Sequence, residues 1–424
     1  MKIKKNLYIL IITLLAISTV QTIAEVVDVI HNQGLNPDYF AYYDQTQLIV
    51  EGQNPYDPSN LRLLDLEKAP IVFPGYVAVF LPHLLFNVHI TKYLFLIFNL
   101  LAGPLVLILL LRRTNLFEKI NLADPNAGTV LLIASFYLYL NSSPYIFTLL
   151  NGQSTFLIAV CFMLMLFAKS FPVQSAAFAV SAVLKYSLLP FYGLILLFKR
   201  KYVFCLVSFT LFALCALSPA LFGHDLKELY TAYYANVISW CTGDGYNTFP
   251  VYGYAQLQAE FFKSGILNIL IKLLVLTTAI WAVYRERQSR RLGLKLLLLI
   301  GCATMVISYH RIYDLVLVIP LMLVFWLSFY KQKQFAHFSI TGIFLLWLLL
   351  PRHLVLKLGN AIGSLFQNNS VIHLPQYVGE LNNLTHIFPI YAVMMLLLTF
   401  YSAYLYFKAD DVPDVSIYDW GRDE

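Results

Sequence analysis

The sequence predicts an all-α polytopic membrane protein with about twelve membrane segments. Its 424 residues are 59% hydrophobic and only 12% charged, with a mean hydropathy of +0.69, a composition that excludes an ordinary soluble domain. Apolar runs of about 20 residues, the length that a helix needs to cross a bilayer, recur along the chain. Backbone polar groups in lipid must be paired within their own segment, so each run is expected to be helical.

The first apolar segment covers residues 7–23 and follows three lysines. This pattern suits either a cleaved signal peptide or a retained signal-anchor helix. Residues 21–25 (QTIAE) make a poor cleavage site, which favours the anchor. Because lysine and arginine prefer the cytoplasmic side, we expect a cytoplasmic N-terminus and an external loop after the first helix.

Residues 25–74 form this first external loop, in which acidic residues are concentrated. The loop holds eight of the 23 acidic residues of the chain. Charge is costly to remove from water, so a membrane protein that places this much acid in one loop is expected to use it. Residues 41–50 predict a short amphipathic helix, residues 52–60 a turn, and residues 61–67 a second amphipathic helix at the interface.

The next apolar run, residues 71–86, is interrupted by two prolines and a glycine. If this run crossed the membrane, the helix predicted over residues 93–111 would deliver Arg112 and Arg113 to the outside. If it does not cross, those arginines lie in the cytoplasm, as basic residues prefer. We therefore predict a re-entrant or surface helix for this run.

The remaining apolar segments alternate between the two sides of the membrane. They lie at residues 129–140, 154–168, 174–198, 202–221, 265–284, 292–308, 312–329, 335–350 and 387–407. The segment 174–198 is broken at Lys185 and Pro190 and ends in a basic triplet that marks the cytoplasm. Further external loops are expected at residues 222–264 and 352–386.

Residues 1–408 are expected to form one transmembrane domain, followed by an acidic tail at residues 409–424 that we predict to be cytoplasmic and disordered. The five cysteines show no CxxC or metal-ligand spacing, so the sequence predicts no disulfide framework, no metal site and no cofactor. A net charge of +6 suits basic cytoplasmic loops and predicts no nucleic-acid partner.

Several short motifs resemble those of family 87 glycosyltransferases. The family pattern is roughly D-F-x-x-Y-Y, then G-x-x-P-Y, then F-x-Y-P-P in the first external loop. This chain has DYFAYY at residues 38–43, GQNPY at 52–56 and FPGY at 73–76, the last without the second proline. Further matches are NGQ at 151–153, LK at 184–185 and SYHRIYD at 308–314. The motifs keep the family's order over residues 36–320.

The resemblance implies a GT-C fold in the inner membrane with its site facing the periplasm. It implies a polyprenyl-phosphate-linked sugar as co-substrate, inversion at the anomeric carbon, and a glycolipid or glycan of the cell envelope as acceptor. The family includes mannosyl- and arabinosyltransferases, and an aspartate of the first external loop acts as general base. Membrane lipid is the remaining expected partner.

Asp38 matches that base, since it begins the first motif and a sugar hydroxyl needs a proton acceptor as it attacks. The alternative is a structural aspartate that caps the following helix. Asp44 is the reserve candidate for the base and for substrate binding; its alternative is the exposed face of the amphipathic helix. Both alternatives stay open from the sequence.

Cationic residues are candidates for binding the donor phosphate. His310 and Arg311 are predicted at the outer end of a helix pair, where the alternative is interfacial snorkelling. Lys185 is a second candidate, with a structural ion pair inside the bundle as its alternative. The basic residues of the 352–386 loop could attract lipid phosphate or only anchor the protein.

Polar motif residues are predicted to contact substrate. Asn151 and Gln153 could hydrogen-bond sugar hydroxyls or cap the next helix. The external motifs add the substrate-binding candidates Tyr42, Tyr43, Asn54 and Tyr56.

Two other classes of function remain open from the sequence. A carrier or flippase for a lipid-linked saccharide would share the helices but would not need a catalytic aspartate, and no internal repeat is evident. A polysaccharide ligase or polymerase would be expected to carry arginines and a histidine in large late loops. The sequence favours a glycosyltransferase.

Overall fold

The protein is a helical bundle with a two-stranded β-pair beside it. The computed structural model describes residues 5–32, 37–63, 69–114, 116, 127–185, 202–242, 265–286, 291–307, 312–349, 390–408 and 416–419. The α-helices are α1 (Lys5–Asn32), α2 (Pro37–Val50), α3 (Val77–Phe80), α4 (Val88–Arg113), α5 (Ala127–Leu140), α6 (Ser143–Asn151), α7 (Thr155–Phe167), α8 (Phe171–Leu184), α9 (Tyr202–Leu217), α10 (Leu226–Thr242), α11 (Gly265–Arg285), α12 (Leu294–Ile307), α13 (Ile319–Lys331), α14 (Phe335–Leu349) and α15 (Ile390–Phe407). Short 3-10 helices lie at Pro58–Asn60, Pro74–Tyr76, Leu81–Leu85, Ser218–Phe222 and Ile312–Leu317.

One large apolar core joins most of these helices. Helix α7 packs between α4 and α8, α12 packs between α11 and α15, and α13 contacts α5 and α14. Helices α12 and α13 are buried almost all round, as expected for helices at the centre of a bundle. By contrast, α1, α4 and α9 expose large apolar side chains along one face, which suits contact with lipid rather than water.

Four stretches of the described chain are long and apolar enough to cross a bilayer. They are Tyr8–Asp28, Val88–Arg113, Gly128–Asn151 and Tyr202–Phe222. Several shorter apolar helices, such as Thr155–Phe167 and Ile319–Lys331, lie beside them. The protein is therefore a membrane protein by helix length and composition, while the total of about twelve segments stays a prediction.

The prolines of the run after the first external loop divide it as the sequence predicts. Residues 74–85 form the 3-10 helix Pro74–Tyr76, α3 and the 3-10 helix Leu81–Leu85 in succession. Four α-helical and eight 3-10 residues span about 22 Å, short of the ~30 Å hydrocarbon thickness. This run is too short to cross the membrane as a helix, and it packs against α2 instead.

Two expectations about the loops and the tail need correction, and a third gains detail. The region predicted as an external loop over residues 222–264 contains α10, which begins after Asp225, whose Oδ1 accepts from the backbone N–H of Lys227 at 2.8 Å. The tail is not wholly disordered, because β2 (Ser416–Asp419) pairs antiparallel with β1 (Arg291–Gly293). Residues 61–63 are not helical, and the rest of the second amphipathic helix predicted there lies outside the described residues.

Side-chain hydrogen bonds tie the first external loop to α10. Gln45 Nε2 donates to the carbonyls of Pro55 (2.9 Å) and Pro70 (3.1 Å). Asn236 Nδ2 of α10 donates to the carbonyls of Ala69 (3.0 Å) and Pro70 (3.3 Å). Tyr56 Oη donates to the Val72 carbonyl at 2.5 Å. The two external regions therefore form one hydrogen-bonded unit.

Gly75 lets the 3-10 helix Pro74–Tyr76 lie directly on α9. A Cβ at this position would be 2.8 Å from the Cys215 carbonyl oxygen and 2.9 Å from Ala216 Cα. Both are backbone atoms of α9, which cannot move as a flexible side chain would.

We predict that Gly75→Ala destabilises the protein by about 1–3 kcal/mol, because its added methyl overpacks a backbone contact. Gly301→Ala in α12 is the matched control. Its Cβ would meet Val318 Cγ2 at 3.6 Å, an ordinary contact, and alanine favours a helix. The measurement is the apparent Tm of each purified variant in detergent. Equal Tm values for wild type and Gly75→Ala would contradict this packing argument.

Candidate active site

Asp38 and Gln153, which are 115 residues apart in sequence, are joined by a hydrogen bond. Gln153 Nε2 donates to Asp38 Oδ2, and Tyr42 Oη donates to Gln153 Oε1 at 3.1 Å. A carboxylate only accepts, so the amide nitrogen must face Asp38 and the amide oxygen must face Tyr42. The structure thus brings three predicted site residues together in one hydrogen-bonded chain.

Asp38 is the second residue of α2 and is half-buried. Pro37 begins the helix, a position where proline is well tolerated. The carboxylate therefore lies within the first helical turn. The alternative to a catalytic role, a helix-capping aspartate, would place it at the N-cap position instead. A negative charge is favourable there, because the first turn carries the positive end of the helix dipole.

The corner after α6 positions Gln153. Gly152 adopts a left-handed conformation (φ 64°, ψ 42°) that glycine adopts without strain. The Gln153 N–H then donates to the Thr148 carbonyl at 3.0 Å, and Asn99 Nδ2 of α4 donates to the Gln153 carbonyl at 3.3 Å. The Asn151 side chain points back along α6, since its Nδ2 donates to the Phe147 carbonyl at 2.9 Å. Gln153, rather than Asn151, points at Asp38.

Aromatic rings form the wall beside this chain. The Tyr42 ring lies 4.8 Å from the Tyr76 ring and 5.3 Å from the Phe80 ring, measured between centroids. Tyr39 is fully buried, and its hydroxyl is hydrogen-bonded to His83 Nδ1 at 3.0 Å. Burial raises the pKa of Tyr39 to about 12 and lowers the pKa of His83, so both side chains favour their neutral forms.

Tyr76 is a functional candidate that the sequence reasoning missed. Its hydroxyl is buried and has no hydrogen-bond partner among the residues that the structure describes. Burial, together with nearby Tyr42, Tyr39 and Asp38, raises the pKa of Tyr76 well above its ordinary value. The hydroxyl therefore stays protonated beside Asp38. It is a hydrogen-bond donor without an acceptor among the described residues. The signal for it was available, because Tyr76 ends the FPGY motif.

Asp44 does not lie on an exposed helix face, so that expectation is wrong. The residue is 0% exposed, and its Oδ2 accepts from the backbone N–H groups of Arg62 (2.7 Å) and Leu63 (3.0 Å). These two amides follow the turn that residues 52–60 form. The structure therefore gives this carboxylate a role in anchoring the external loop to α2.

Three other motif residues are hydrogen-bonded within the external region. Tyr43 Oη donates to the Phe86 carbonyl at 3.1 Å, while Tyr56 binds Val72 as described. Asn54 Oδ1 accepts from the Tyr56 N–H at 3.0 Å, as in an Asx turn. These contacts fix the loop geometry, and substrate binding by these residues stays a prediction.

Among the predicted phosphate-binding cations, the structure describes Lys185. It ends α8, as the predicted break requires, and Val183, two residues earlier, belongs to the buried cluster of Tyr39 and Tyr76. The end of α8 therefore reaches the candidate site. His310 and Arg311 lie outside the described residues, as does the 352–386 loop. Among the described residues, no group of three or more His, Cys, Asp or Glu side chains could hold a metal ion.

The chain was compared with known families, curated proteins and solved structures. The sequence model of Glycosyltransferase family 87 matches residues 74–308, more than half of the 424 residues. The matched region includes Tyr76, Gln153 and Lys185 and begins after α2, so it does not contain Asp38. No curated protein and no solved structure matches the chain.

We predict that Asp44→Ala lowers the free energy of unfolding by about 1–3 kcal/mol, because two backbone N–H groups lose their acceptor. Hydrogen exchange of the peptide containing Arg62 and Leu63 should accelerate in the same variant. Glu51→Ala is the control, since this exposed carboxylate pairs with the Arg62 side chain and such pairs contribute little. Unchanged exchange in Asp44→Ala would contradict the anchoring role.

Proposed function

Because the chain belongs to glycosyltransferase family 87, we propose that it moves a sugar from a polyprenyl-phosphate donor to a glycolipid or glycan acceptor of the cell envelope. The sugar is mannose or a similar hexose or pentose. The enzyme has a GT-C fold of about twelve segments in the inner membrane. Its active site faces the periplasm, and both termini lie in the cytoplasm.

The observation that carries this proposal is the oriented carboxylate of Asp38. A half-buried acid at the outer end of a helical bundle is held by Gln153, which is in turn held by Tyr42 and Asn99. A base that acts on a sugar hydroxyl must be held at hydrogen-bond distance from it, and a fixed orientation reduces the entropy lost on reaching that geometry.

In the proposed reaction, Asp38 accepts the proton of an acceptor hydroxyl while that oxygen attacks the anomeric carbon of the donor. The new C–O bond forms on the face opposite the phosphate, and the bond to the phosphate oxygen breaks, so the anomeric centre inverts. Polyprenyl phosphate leaves with the bonding electrons. Gln153 keeps the carboxylate in place, and the Tyr76 hydroxyl donates to a sugar oxygen.

A carrier, or a ligase or polymerase for lipid-linked saccharides, is the alternative. Family membership favours transfer over transport, and the oriented Asp38 favours a base-assisted reaction. A carrier would move its substrate without consuming it, so the chemical fate of a labelled donor separates these classes.

We predict that Asp38→Asn lowers the transfer rate by about 10²–10⁴-fold, the usual contribution of a general base. Asparagine keeps an oxygen that can accept from Gln153, so the local fold is retained while basicity is lost. The assay uses membranes with radiolabelled polyprenyl-phosphate mannose and its pentose and hexose analogues. Glu51→Gln, an exposed acid of the same loop, is the control and should transfer like wild type.

The outcomes of this assay are distinct. Equal transfer by wild type and Asp38→Asn would show that the base lies elsewhere. A labelled donor that is neither transferred nor hydrolysed by wild type, across the whole donor range, would refute the proposed donor class.

We predict that Tyr76→Phe lowers transfer by about tenfold, the effect of losing one hydrogen bond to substrate, without lowering the apparent Tm. The removed hydroxyl has no protein partner among the described residues, so its loss leaves no buried group unpaired. Tyr56→Phe is the control for stability and should lower the apparent Tm, because it leaves the buried Val72 carbonyl without its donor. Full activity of Tyr76→Phe would exclude its hydroxyl from the site.

A further inference from the structure

Helix α4 carries a buried lysine at its outer end. Lys92 is 5% exposed, and its Nζ lies 5.5 Å from the centroid of the Phe40 ring and 5.0 Å from that of the Tyr93 ring. Within the described part of the chain, neither a carboxylate nor a hydrogen-bond acceptor contacts this ammonium group. Two aromatic faces replace little of the hydration that a buried ammonium group loses. The site therefore favours an anion that the protein itself does not supply.

Lys92 lies on the same face of α4 as the residue that supports the candidate site. Asn99 follows it by seven residues, which is two helical turns or about 10 Å along the axis. Asn99 holds the Gln153 carbonyl, and Gln153 binds Asp38. Phe40, whose ring lies against Lys92, follows Asp38 by two residues in α2. The ammonium group thus lies where α4 packs against α2, the helix that carries Asp38.

The surroundings of Lys92 suit a phosphate with an apolar tail. Tyr93 Oη is hydrogen-bonded to His31 Nδ1 of α1 at 2.8 Å, so a second basic side chain lies at this end of the helix. The opposite face of α4 exposes Ile90, Leu94 and Ile97, each more than half exposed. Lys92 is only the fifth residue of α4, so the lipid chain of a phosphate bound there would reach this apolar surface by passing around the end of the helix.

We propose that Lys92 binds the phosphate of the polyprenyl-phosphate donor, with the prenyl chain along the exposed face of α4. This inference rests on the proposed function, since it assigns the phosphate subsite of the same donor. In the ground state the ammonium group neutralises the phosphodiester. When the bond to the anomeric carbon breaks, the phosphate gains negative charge, and the same ammonium group stabilises it.

The test measures binding of farnesyl phosphate, a short polyprenyl phosphate, to the purified full chain in detergent. Lys92→Met, which keeps the length and apolar stem of lysine, should weaken binding about tenfold or more, because a charge-assisted interaction is lost. Lys92→Arg should restore most of the affinity. Lys295→Met, at a lysine of similar burial in α12, is the control and should bind like wild type. Farnesol, which lacks the phosphate, should bind all four proteins equally.

Three results would overturn the proposal. They are wild-type affinity of Lys92→Met for farnesyl phosphate, equal loss of farnesol and farnesyl phosphate binding in that variant, and displacement of farnesyl phosphate by an equal concentration of phosphatidic acid. The last would assign the lysine to a general lipid headgroup. The apparent Tm of each variant establishes that the compared proteins are folded.

Failure of this inference and failure of the proposed function can be told apart. Asp38-dependent transfer from a polyprenyl-phosphate sugar, together with wild-type binding by Lys92→Met, would overturn only the role of Lys92. Binding of farnesyl phosphate that depends on Lys92, in a protein that transfers no sugar, would support the phosphate subsite and refute the proposed reaction.

Discussion

The hydrogen bond from Gln153 to Asp38 connects the external loop to the transmembrane bundle. Asp38 begins α2, whereas Gln153 follows α6 and is supported by Asn99 from α4. Because Gln153 also accepts from Tyr42, a single side-chain amide contacts two successive turns of α2. The orientation of α2 therefore depends on an amide whose two ends have different partners, and the aromatic wall of Tyr39, Tyr42 and Tyr76 follows from that orientation.

The polar groups of this region are divided between structural and functional roles. Asp44, Gln45 and Tyr56 are buried, and each binds backbone groups of the external loop. Buried polar groups of this kind are normally paired, because an unpaired one costs about 1–3 kcal/mol. Several buried polar atoms among the described residues lack a partner, and one of them, the hydroxyl of Tyr76, lies beside Asp38. At that position a bound ligand would complete the pairing.

The sequence predicted the helical fold well, since helices depend on local patterns. Apolar run length predicts helices such as α4 and α12, and prolines predict the division of residues 74–85. Contacts between distant parts of the chain were not predictable in this way. The burial of Asp44 depends on the path of residues 62–63, and the pairing of β2 with β1 joins segments more than a hundred residues apart. From the sequence alone, Lys92 resembles an ordinary interfacial lysine. Its contact with Phe40 depends on the packing of α2 against α4.

In the extended segment 69–73, backbone carbonyls are hydrogen-bonded to side chains from other parts of the protein. Its carbonyls at Ala69, Pro70 and Val72 all accept from side chains of Gln45, Asn236 or Tyr56. Proline supplies no N–H at residue 70, so the segment is also poor in free donors. An extended stretch with free donors and acceptors is a template for adding a strand from another chain. Here the carbonyls of Ala69, Pro70 and Val72 are already occupied, so this segment offers few free acceptors to a strand from a neighbouring copy.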